Sequence, residues 1–253
     1  MHPYSWSLHA EAVVLVPLLA LGYAFVLRRY PAPGWRIACF LSGLTLILAV
    51  FVTPLENLAL HYLLTAHLLQ NVTLAEWSPA LVVLGLPPAA ALAARGSRTV
   101  RFLTHPLVAL PIWLGTYYAW HIPAAYDTAL RHPSTLLHLE HLCYFVTGVL
   151  LWWPVLTGRL EAGAAAVYLF AAFVFASPLG LLLALIPNAV YDFYEHVPRL
   201  WGLTPLSDQQ IAGVTMASEQ AIVFFAVFAV YLRRFFIEEQ GADAFRAPTV
   251  PRS

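Results

Sequence analysis

The chain is poor in charged residues and contains no lysine. Only 10% of its 253 residues are charged and all 13 of its basic side chains are arginines, whereas about a quarter of a typical soluble domain is charged. Hydrophobic residues make up 60% of the chain, and its mean hydropathy is +0.72. A soluble fold needs a charged exterior to cover this much apolar surface, and a lipid bilayer removes that need. The composition therefore predicts an integral membrane protein.

Other absences exclude further classes of protein. The formal net charge is zero, so no electrostatic attraction favours nucleic acid as a partner. The two cysteines, Cys39 and Cys143, both lie in apolar runs and make no disulfide framework. The motifs of soluble enzymes are missing too, since there is no glycine-rich phosphate loop, no HExxH and no GxSxG. We therefore expect a membrane protein that is not an enzyme.

Seven apolar segments approach the length of about 20 residues that a transmembrane helix needs. They lie near residues 8–27, 37–54, 57–78, 104–121, 134–156, 163–186 and 208–232. The stretch 79–103 begins apolar but is broken by Gly85, Pro87 and Pro88, so it either continues the third helix or returns, partly embedded, to the surface. The expected fold is an all-α, polytopic membrane bundle of about seven transmembrane helices over residues 1–237. A flexible cytoplasmic tail is expected over residues 238–253.

The arginines are unevenly divided between the two sides of the predicted bundle. The smaller set of loops holds only Arg131 and Arg199. The larger set holds Arg28, Arg29, Arg36, Arg95, Arg98, Arg101, Arg159, Arg233, Arg234, Arg246 and Arg252. Because arginine-rich loops stay in the cytoplasm, the N-terminus is expected outside and the C-terminus inside, as seven spans require.

The histidines show the opposite asymmetry. Only His105 is predicted to lie on the cytoplasmic side. The others fall in the outer half of the bundle or in outer loops, namely His2, His9, His61, His67, His121, His132, His138, His141 and His196. Imidazole binds transition metals, but it also ligates haem and carries protons. The asymmetry alone therefore does not choose among these functions.

Two histidines of the predicted fifth helix share a face, because His138 and His141 are three residues apart. This is not the spacing of a zinc protease motif. Glu140 lies between them and points off their face. It could orient a metal ligand from behind, or it could pair with Arg131 near the surface.

The third and fourth helices add further polar groups at similar depth. His67 lies in the third helix, and Asn71 shares its face because it follows four residues later. His121 closes the fourth helix on the same outer side. We expect these helix ends to converge with the histidine pair of the fifth helix on one site, since polar groups facing lipid would be costly.

The seventh helix carries a polar stripe. Asp208, Thr215 and Glu219 fall within about 20° of one another at 100° per residue, and Met216 flanks them. Asp208 could simply be a first-turn acid that the helix dipole favours. Glu219 lies deeper, where an ionisable group costs a few kcal/mol and usually faces a partner or a cavity.

Several short motifs occur in a fixed order along the chain. They are His67-Leu68-Leu69-Gln70, the run from Ser78 to Pro87, Trp120-His121-Ile122-Pro123 with Tyr126, His138-Leu139-Glu140-His141 with Trp152-Trp153-Pro154, and Asp208-Gln209-Gln210-Ile211-Ala212-Gly213 with Met216. In their order and spacing they make the chain resemble the CtaG-type cytochrome c oxidase assembly factors, a copper-associated group of seven-helix membrane proteins.

The resemblance implies a role in maturing a haem-copper oxidase, with Cu(I) as the metal handled on the outer face. The implied partners are oxidase subunits and the lipid bilayer, and the implied location is a bacterial plasma membrane. The implied ligands are His67, His138, His141 and Met216, a set of imidazoles and a thioether that suits Cu(I). The supporting residues are Asp208, which could fix a ligand's tautomer, and His121, Asn71, Glu140 and Glu219.

The chain departs from the family pattern in three places. Leu68 stands where the family has methionine, Asn71 where it has a second histidine, and Ala217 where it has tryptophan. Two expected donors, a thioether and an imidazole, are therefore missing. We expect this chain to hold copper more weakly than a family member with the full pattern.

Two other functions stay open from the residues alone. A membrane redox protein could ligate haem between helices, with His67 and His141 as axial ligands. A proton or ion transporter could use Glu219 and Asp208, although such transporters usually show an internal repeat and none is visible here. An optical spectrum separates haem from copper.

Overall fold

The computed structural model describes residues 2–7 and 11–246, and every regular element in them is a helix. A π-helical turn, Glu11–Leu15, leads into the first helix. The α-helices are α1 Val16–Arg29, α2 Gly34–Val52, α3 Pro54–His61, α4 Leu64–Val72, α5 Ser78–Gly85, α6 Pro88–Ala94, α7 Arg98–Leu103, α8 Pro106–Trp120, α9 Pro123–Arg131, α10 His138–Leu156, α11 Ala162–Leu185, α12 Asp192–Glu195 and α13 Pro205–Arg246. The predicted all-α, multi-pass class is confirmed. His9, Arg252 and the end of the predicted tail lie outside the described residues.

Among the described residues, five helical segments are long and apolar enough to cross a membrane unaided, and a bent pair makes a sixth. The five are Ala12–Arg29, Gly34–Val52, Pro133–Leu156, Ala162–Leu185 and Pro205–Gly241. The expected fourth span, 104–121, is represented by α8, which has 15 residues. A helix of that length covers about 22 Å, less than the hydrocarbon core of about 30 Å. The count of seven and the orientation of the termini therefore stay predictions.

The expected third span is divided rather than continuous. An extended residue, Leu63 at φ −134° and ψ 122°, separates α3 from α4. A π-helical turn over Thr73–Trp77 then joins α4 to α5. Pro79 neither ends nor interrupts the span, because it lies in the first turn of α5, where a missing amide is tolerated. The wider π turn before it accommodates the proline ring.

Both interpretations of the stretch 79–103 describe part of what is found. The third span continues as α5 to Gly85, and the chain then bends by 103° at the two prolines into α6. Arg36 stabilises this bend by donating from Nη1 to the carbonyls of Leu84 (2.6 Å) and Leu86 (2.9 Å). Since α6 and α7 are short, this stretch turns back instead of crossing.

Small residues allow α11 and α13 to pack closely. A Cβ atom placed on Gly213 would lie 2.5 Å from both the Gly180 carbonyl oxygen and the Ala184 amide nitrogen. Ala217, one turn further along α13, meets Gly180 in the same way. Helices in a membrane associate through such small residues four apart, because backbones can then touch.

The spans place different residues at the two ends of the bundle. The end formed by residues 53–67, 120–141 and 186–209 carries most of the histidines and is called the histidine end below. The opposite end, formed by residues 28–36, 86–106, 157–161 and 231–238, is called the arginine end. α13 runs on to Arg246, beyond position 238, where the tail was expected to begin.

Candidate functional site

Three histidines meet around one tyrosine at the histidine end. The ring of His67 on α4 lies 6.2 Å from that of His141 on α10 and 5.0 Å from that of Tyr126 on α9. His121, which follows α8, lies 5.8 Å from Tyr126. All four side chains are buried. The structure thus brings together three of the residues that the sequence singled out, from helices that are far apart in the chain.

The ring of His67 is held in one tautomer. Its Nδ1 lies 2.9 Å from the hydroxyl of Tyr194, and that hydroxyl donates its only hydrogen to the Ala59 carbonyl at 2.6 Å. Burial raises the pKa of Tyr194 well above its usual value, so the hydroxyl keeps this hydrogen. Nδ1 must then donate to the tyrosine oxygen, which leaves the lone pair on Nε2. Nε2 is buried and has no hydrogen-bond partner among the residues that the structure describes.

His121 is held in the same tautomer by a different group. Its Nδ1 lies 2.7 Å from the Tyr117 carbonyl, which can only accept, and 3.2 Å from the Tyr144 hydroxyl. Nδ1 therefore carries the hydrogen, and the lone pair again lies on a buried Nε2, which no group in the described part of the chain bonds. A second group that fixes the tautomer is the usual arrangement behind a metal-binding histidine. His121, expected only in a supporting role, is thus presented in the same way as His67.

The two histidines of α10, His138 and His141, differ in their surroundings. His141 is buried and makes the ring contact with His67. His138 is half-buried. Both line an otherwise apolar cavity of about 220 Å³, whose other lining residues are Leu15, Ile47, Phe51, Leu74, Leu142 and Phe145. His141 therefore joins the histidine cluster to this cavity.

Glu140 pairs with an amide and not with an arginine. Asn71 donates to its Oε1 at 3.1 Å, and this bond links α4 to α10. Glu140 is fully buried, and none of the described residues bonds its Oε2. Arg131, the alternative partner, instead forms a half-exposed ion pair with Asp192. Glu140 and Asn71 therefore belong to the buried polar interior. Glu140 directly precedes His141 in the chain, and Asn71 follows His67 by four residues.

Asp208 has a structural role that the sequence did not indicate. Its carboxylate accepts hydrogen bonds from the amides of Leu64 (2.7 Å) and Thr65 (3.1 Å) and from the Thr65 hydroxyl (2.7 Å). These are the first amides of α4, which no residue of α4 itself can satisfy. Asp208 was expected to bond a metal-binding histidine. In the structure its carboxylate instead caps α4, the helix that carries His67. Met216, two turns along α13, is buried in the hydrophobic core.

A second buried polar group lies deeper, where α13 meets the π turn of the third span. Gln220 donates to Glu76 at 2.9 Å and to the Tyr117 hydroxyl at 2.7 Å, and Trp77 donates to Glu219. Gln220 thus bonds the carboxylate of Glu76, and Trp77, the residue after Glu76, bonds the carboxylate of Glu219, the residue before Gln220. Both carboxylates are buried, and each has one oxygen that no residue in the described ranges bonds. Glu219 therefore has the partner that an ionisable residue at this depth requires.

The sequence analysis missed several residues of the site. Glu76 carried a readable signal, since it is an acid inside an apolar run, five residues after Asn71. Tyr191 and Tyr194 carried a weaker signal, because they lie in the connecting segment that follows the sixth predicted span. Asp127 places that loop by accepting bonds from the amides of Asp192 (3.2 Å) and Phe193 (3.0 Å).

No three histidine, cysteine or acidic side chains in the described part of the chain stand close enough together to hold a metal ion as they are. The predicted ligand set of His67, His138, His141 and Met216 is therefore not assembled around one point. What the cluster does supply is two buried lone pairs on imidazole nitrogens and a third imidazole nearby.

Apolar spanning helices around a buried polar interior define the chain as a multi-pass helical membrane protein. Residues 18–237 match the model of the family described as cytochrome c oxidase caa3 assembly factor. Because the match covers most of the chain, the protein belongs to that family, as the motifs indicated.

The curated relatives that match are longer proteins from mycobacteria. The chain is 25% identical to the uncharacterized protein Mb0105 of Mycobacterium bovis and to the uncharacterized protein MT0111 of Mycobacterium tuberculosis, covering 78% of this chain and 34% of each relative. It is 24% identical to the uncharacterized protein ML1998 of Mycobacterium leprae, covering 86% of this chain and 38% of the relative. The chain thus spans about a third of the length of these relatives. No solved structure matches it.

Proposed function

We propose that this protein is a non-catalytic factor for the assembly of a haem-copper cytochrome c oxidase in a bacterial plasma membrane. In this proposal seven spans place the histidine end outside, where the protein holds Cu(I) as cargo for a nascent oxidase subunit. The family match supports the assembly role. The observation that carries the copper role is the pair of buried Nε2 lone pairs on His67 and His121, each fixed by a bond at Nδ1.

The chemistry of the donors suits a soft monovalent ion. Imidazoles and thioethers are ligands of Cu(I), whereas carboxylates favour harder ions. The cluster presents imidazoles, and Glu140, which precedes His141 in the chain, is bonded to Asn71. We therefore revise the predicted ligand set by adding His121 to His67 and His141. His138 would then bind the ion where it enters, since it lines the cavity beside His141.

A site whose donors are not preassembled suits delivery better than storage. The side chains must move to close on the ion, so part of the binding free energy is spent on that movement, and affinity falls accordingly. An ion held this way is released more easily to a partner that offers a complete ligand set. The missing thioether and imidazole at Leu68 and Asn71 act in the same direction.

The test is a Cu(I) competition titration on purified protein against a chromophoric chelator. We expect the wild-type protein to compete, and His67→Gln and His121→Gln to bind at least about tenfold more weakly, the lower end of what loss of metal-site residues costs. His132→Gln is the matched control, because His132 lies at the same end and is exposed. Equal affinity in all four proteins would remove the cluster from the site. An absence of competition by the wild-type protein would leave an assembly role without copper.

A second candidate function, the movement of protons or small cations, is favoured by the two buried carboxylates of Glu76 and Glu219, which accept hydrogen bonds from Gln220 and Trp77. Chains of acidic side chains inside a membrane occur in proton relays. The test is acidification of liposomes that contain the protein, with Glu219→Gln as the variant. A proton flux that this variant abolishes would favour transport, whereas no flux in either protein excludes it. An optical spectrum of the same sample tests the haem alternative, which requires an absorbing species as purified.

A further inference from the structure

A cavity at the arginine end is lined by three arginines and a histidine. It measures about 480 Å³ and lies between α7, the start of α8 and the turn that joins α10 to α11. Its polar lining consists of Arg98, Arg101, Arg159 and His105, and the remaining lining residues are Phe102 and Val108. Within residues 2–7 and 11–246, no acidic side chain lines this cavity. The three guanidinium groups therefore face a shared space without a carboxylate to balance them.

Hydrogen bonds hold Arg159 and the turn that carries it. Nη1 of Arg159 donates to the Arg101 carbonyl and to the Thr104 hydroxyl, both at 2.9 Å. Nη2 of Arg95 donates to the carbonyl and hydroxyl of Thr157, which fixes the turn that carries Arg159. Burial, together with the positive charges of Arg95 and Arg101, lowers the pKa of Arg159. Like charges held this close repel one another unless an anion lies between them.

His105 is placed to add a neutral donor to the same cavity. Its Nδ1 accepts a hydrogen bond from the Leu107 amide at 3.3 Å and so caps α8. A neutral ring that accepts at Nδ1 carries its hydrogen on Nε2. The cavity therefore offers guanidinium forks, which match phosphate oxygens in a bidentate manner, and an additional N–H donor.

The surroundings of the cavity are apolar and outward-facing. Phe102 is 63% exposed and Leu107 is 80% exposed, on elements that lie directly beside the arginines. An isolated phosphate ion gains nothing from these side chains, whereas the acyl chains of a lipid would cover them. Basic pockets between transmembrane helices on the arginine-rich side of a membrane bind anionic headgroups by this combination of contacts.

We infer that the cavity lined by Arg98, Arg101 and Arg159 binds a phosphate group, and that its position favours the phosphodiester of an anionic phospholipid as the source. The guanidinium groups bind the phosphate oxygens, His105 donates to one of them, and the acyl chains pack on Phe102 and Leu107. This site is separate from the histidine cluster, so it stands or falls independently of the copper proposal.

The test measures lipid binding by the purified protein in detergent, with phosphatidylglycerol and phosphatidylcholine as the two lipids. We expect native mass spectrometry to show adducts with phosphatidylglycerol in preference. The double variant Arg98→Gln, Arg101→Gln should bind it at least about tenfold more weakly, since each juxtamembrane arginine adds to the attraction. Arg28→Gln, Arg29→Gln is the matched control, because it removes two exposed arginines of the same end that lie outside the cavity. Arg98→Lys, Arg101→Lys should recover part of the binding.

Each outcome decides the inference. Titration with inorganic phosphate in place of lipid distinguishes the sources: binding that depends on Arg98 and Arg101 supports the site but identifies free phosphate as the ligand. Equal binding of both lipids by the wild-type protein, with no phosphate binding, overturns the inference. Equal losses in the cavity variant and in the control variant overturn it as well, because the effect would then reflect general charge alone.

Discussion

Replacing Asp208 by alanine removes the acceptor for three hydrogen bonds at the start of α4. The Leu64 amide is buried, so losing its 2.7 Å bond leaves a donor with no access to water. An unsatisfied buried donor costs about 1–3 kcal/mol. Thr65 is half-buried and its amide and hydroxyl can be partly rehydrated, which adds about 1 kcal/mol. We therefore expect Asp208→Ala to lower the free energy of unfolding by about 2–4 kcal/mol.

Asp208→Asn should have a smaller effect, about 1–2 kcal/mol, because the amide keeps one of the two oxygens that accept. Reversible unfolding by SDS in mixed micelles measures both changes. Asp192→Ala is the control: this acid forms a half-exposed ion pair with Arg131, and such pairs contribute at most about 1 kcal/mol.

The coupling free energy between Asp208 and Thr65 is a more specific measurement than either single loss. In a double-mutant cycle with Thr65→Val, the loss on removing Asp208 should shrink, because one of its bonds is already absent. The reasoning is refuted if Asp208→Ala costs no more than Asp192→Ala. It is also refuted if Asp208→Ala weakens Cu(I) binding while leaving the free energy of unfolding unchanged, since Asp208 would then act on the metal site and not on the helix.

Three further predictions follow from the packing, the tautomers and the arginines. Gly213→Ala should destabilise the protein by about 1–3 kcal/mol in the same SDS assay, because the new methyl group meets backbone atoms at 2.5 Å. Tyr194→Phe should weaken Cu(I) binding about tenfold, because it frees the ring of His67 to change tautomer. Reporter fusions after Arg101 and after His196 should report cytoplasm and exterior respectively.

Control substitutions distinguish the first two of these effects from a nonspecific loss of stability or binding. Gly22→Ala should be neutral or slightly stabilising, since a Cβ atom there meets nothing within 4 Å and alanine favours the helix. Tyr168→Phe removes a buried hydroxyl that donates to the Leu151 carbonyl, distant from the histidines, and should leave Cu(I) binding unchanged. Equal effects from a variant and its control, or fusions that report the reverse sides, would contradict the corresponding prediction.

The class of fold was predictable because it rests on composition, whereas the breaks in the spans depend on contacts between distant residues. The apolar runs gave the spanning helices that the structure contains, with bounds close to those expected for α2 and α11. The interruption between α3 and α4 could not be predicted, because the first amide after Leu63, which α4 itself cannot satisfy, is bonded by an acid 144 residues away. No local pattern encodes such a partner.

The histidine cluster was partly predictable for a similar reason. Helical spacing placed His67 and His141 at comparable depths, and the structure brings their rings to 6.2 Å. Spacing could not reveal which nitrogen of His67 or of His121 carries the hydrogen, because that depends on Tyr194 and on the Tyr117 carbonyl. Nor could it reveal Glu76 as the counterpart of Glu219, since the two approach only when the π turn of the third span meets α13.

The charged cap on α4 also imposes an order on biosynthesis. Leu64 is made 144 residues before Asp208, and ribosomes add about 5–20 residues each second. For roughly 7–30 s the nascent chain must therefore keep the start of α4 supplied with other partners, whether water, lipid headgroups or an insertase. Only when α13 packs beside α4 can Asp208 bond those amides. A nascent chain interrupted before residue 208 therefore lacks the cap on the helix that carries His67.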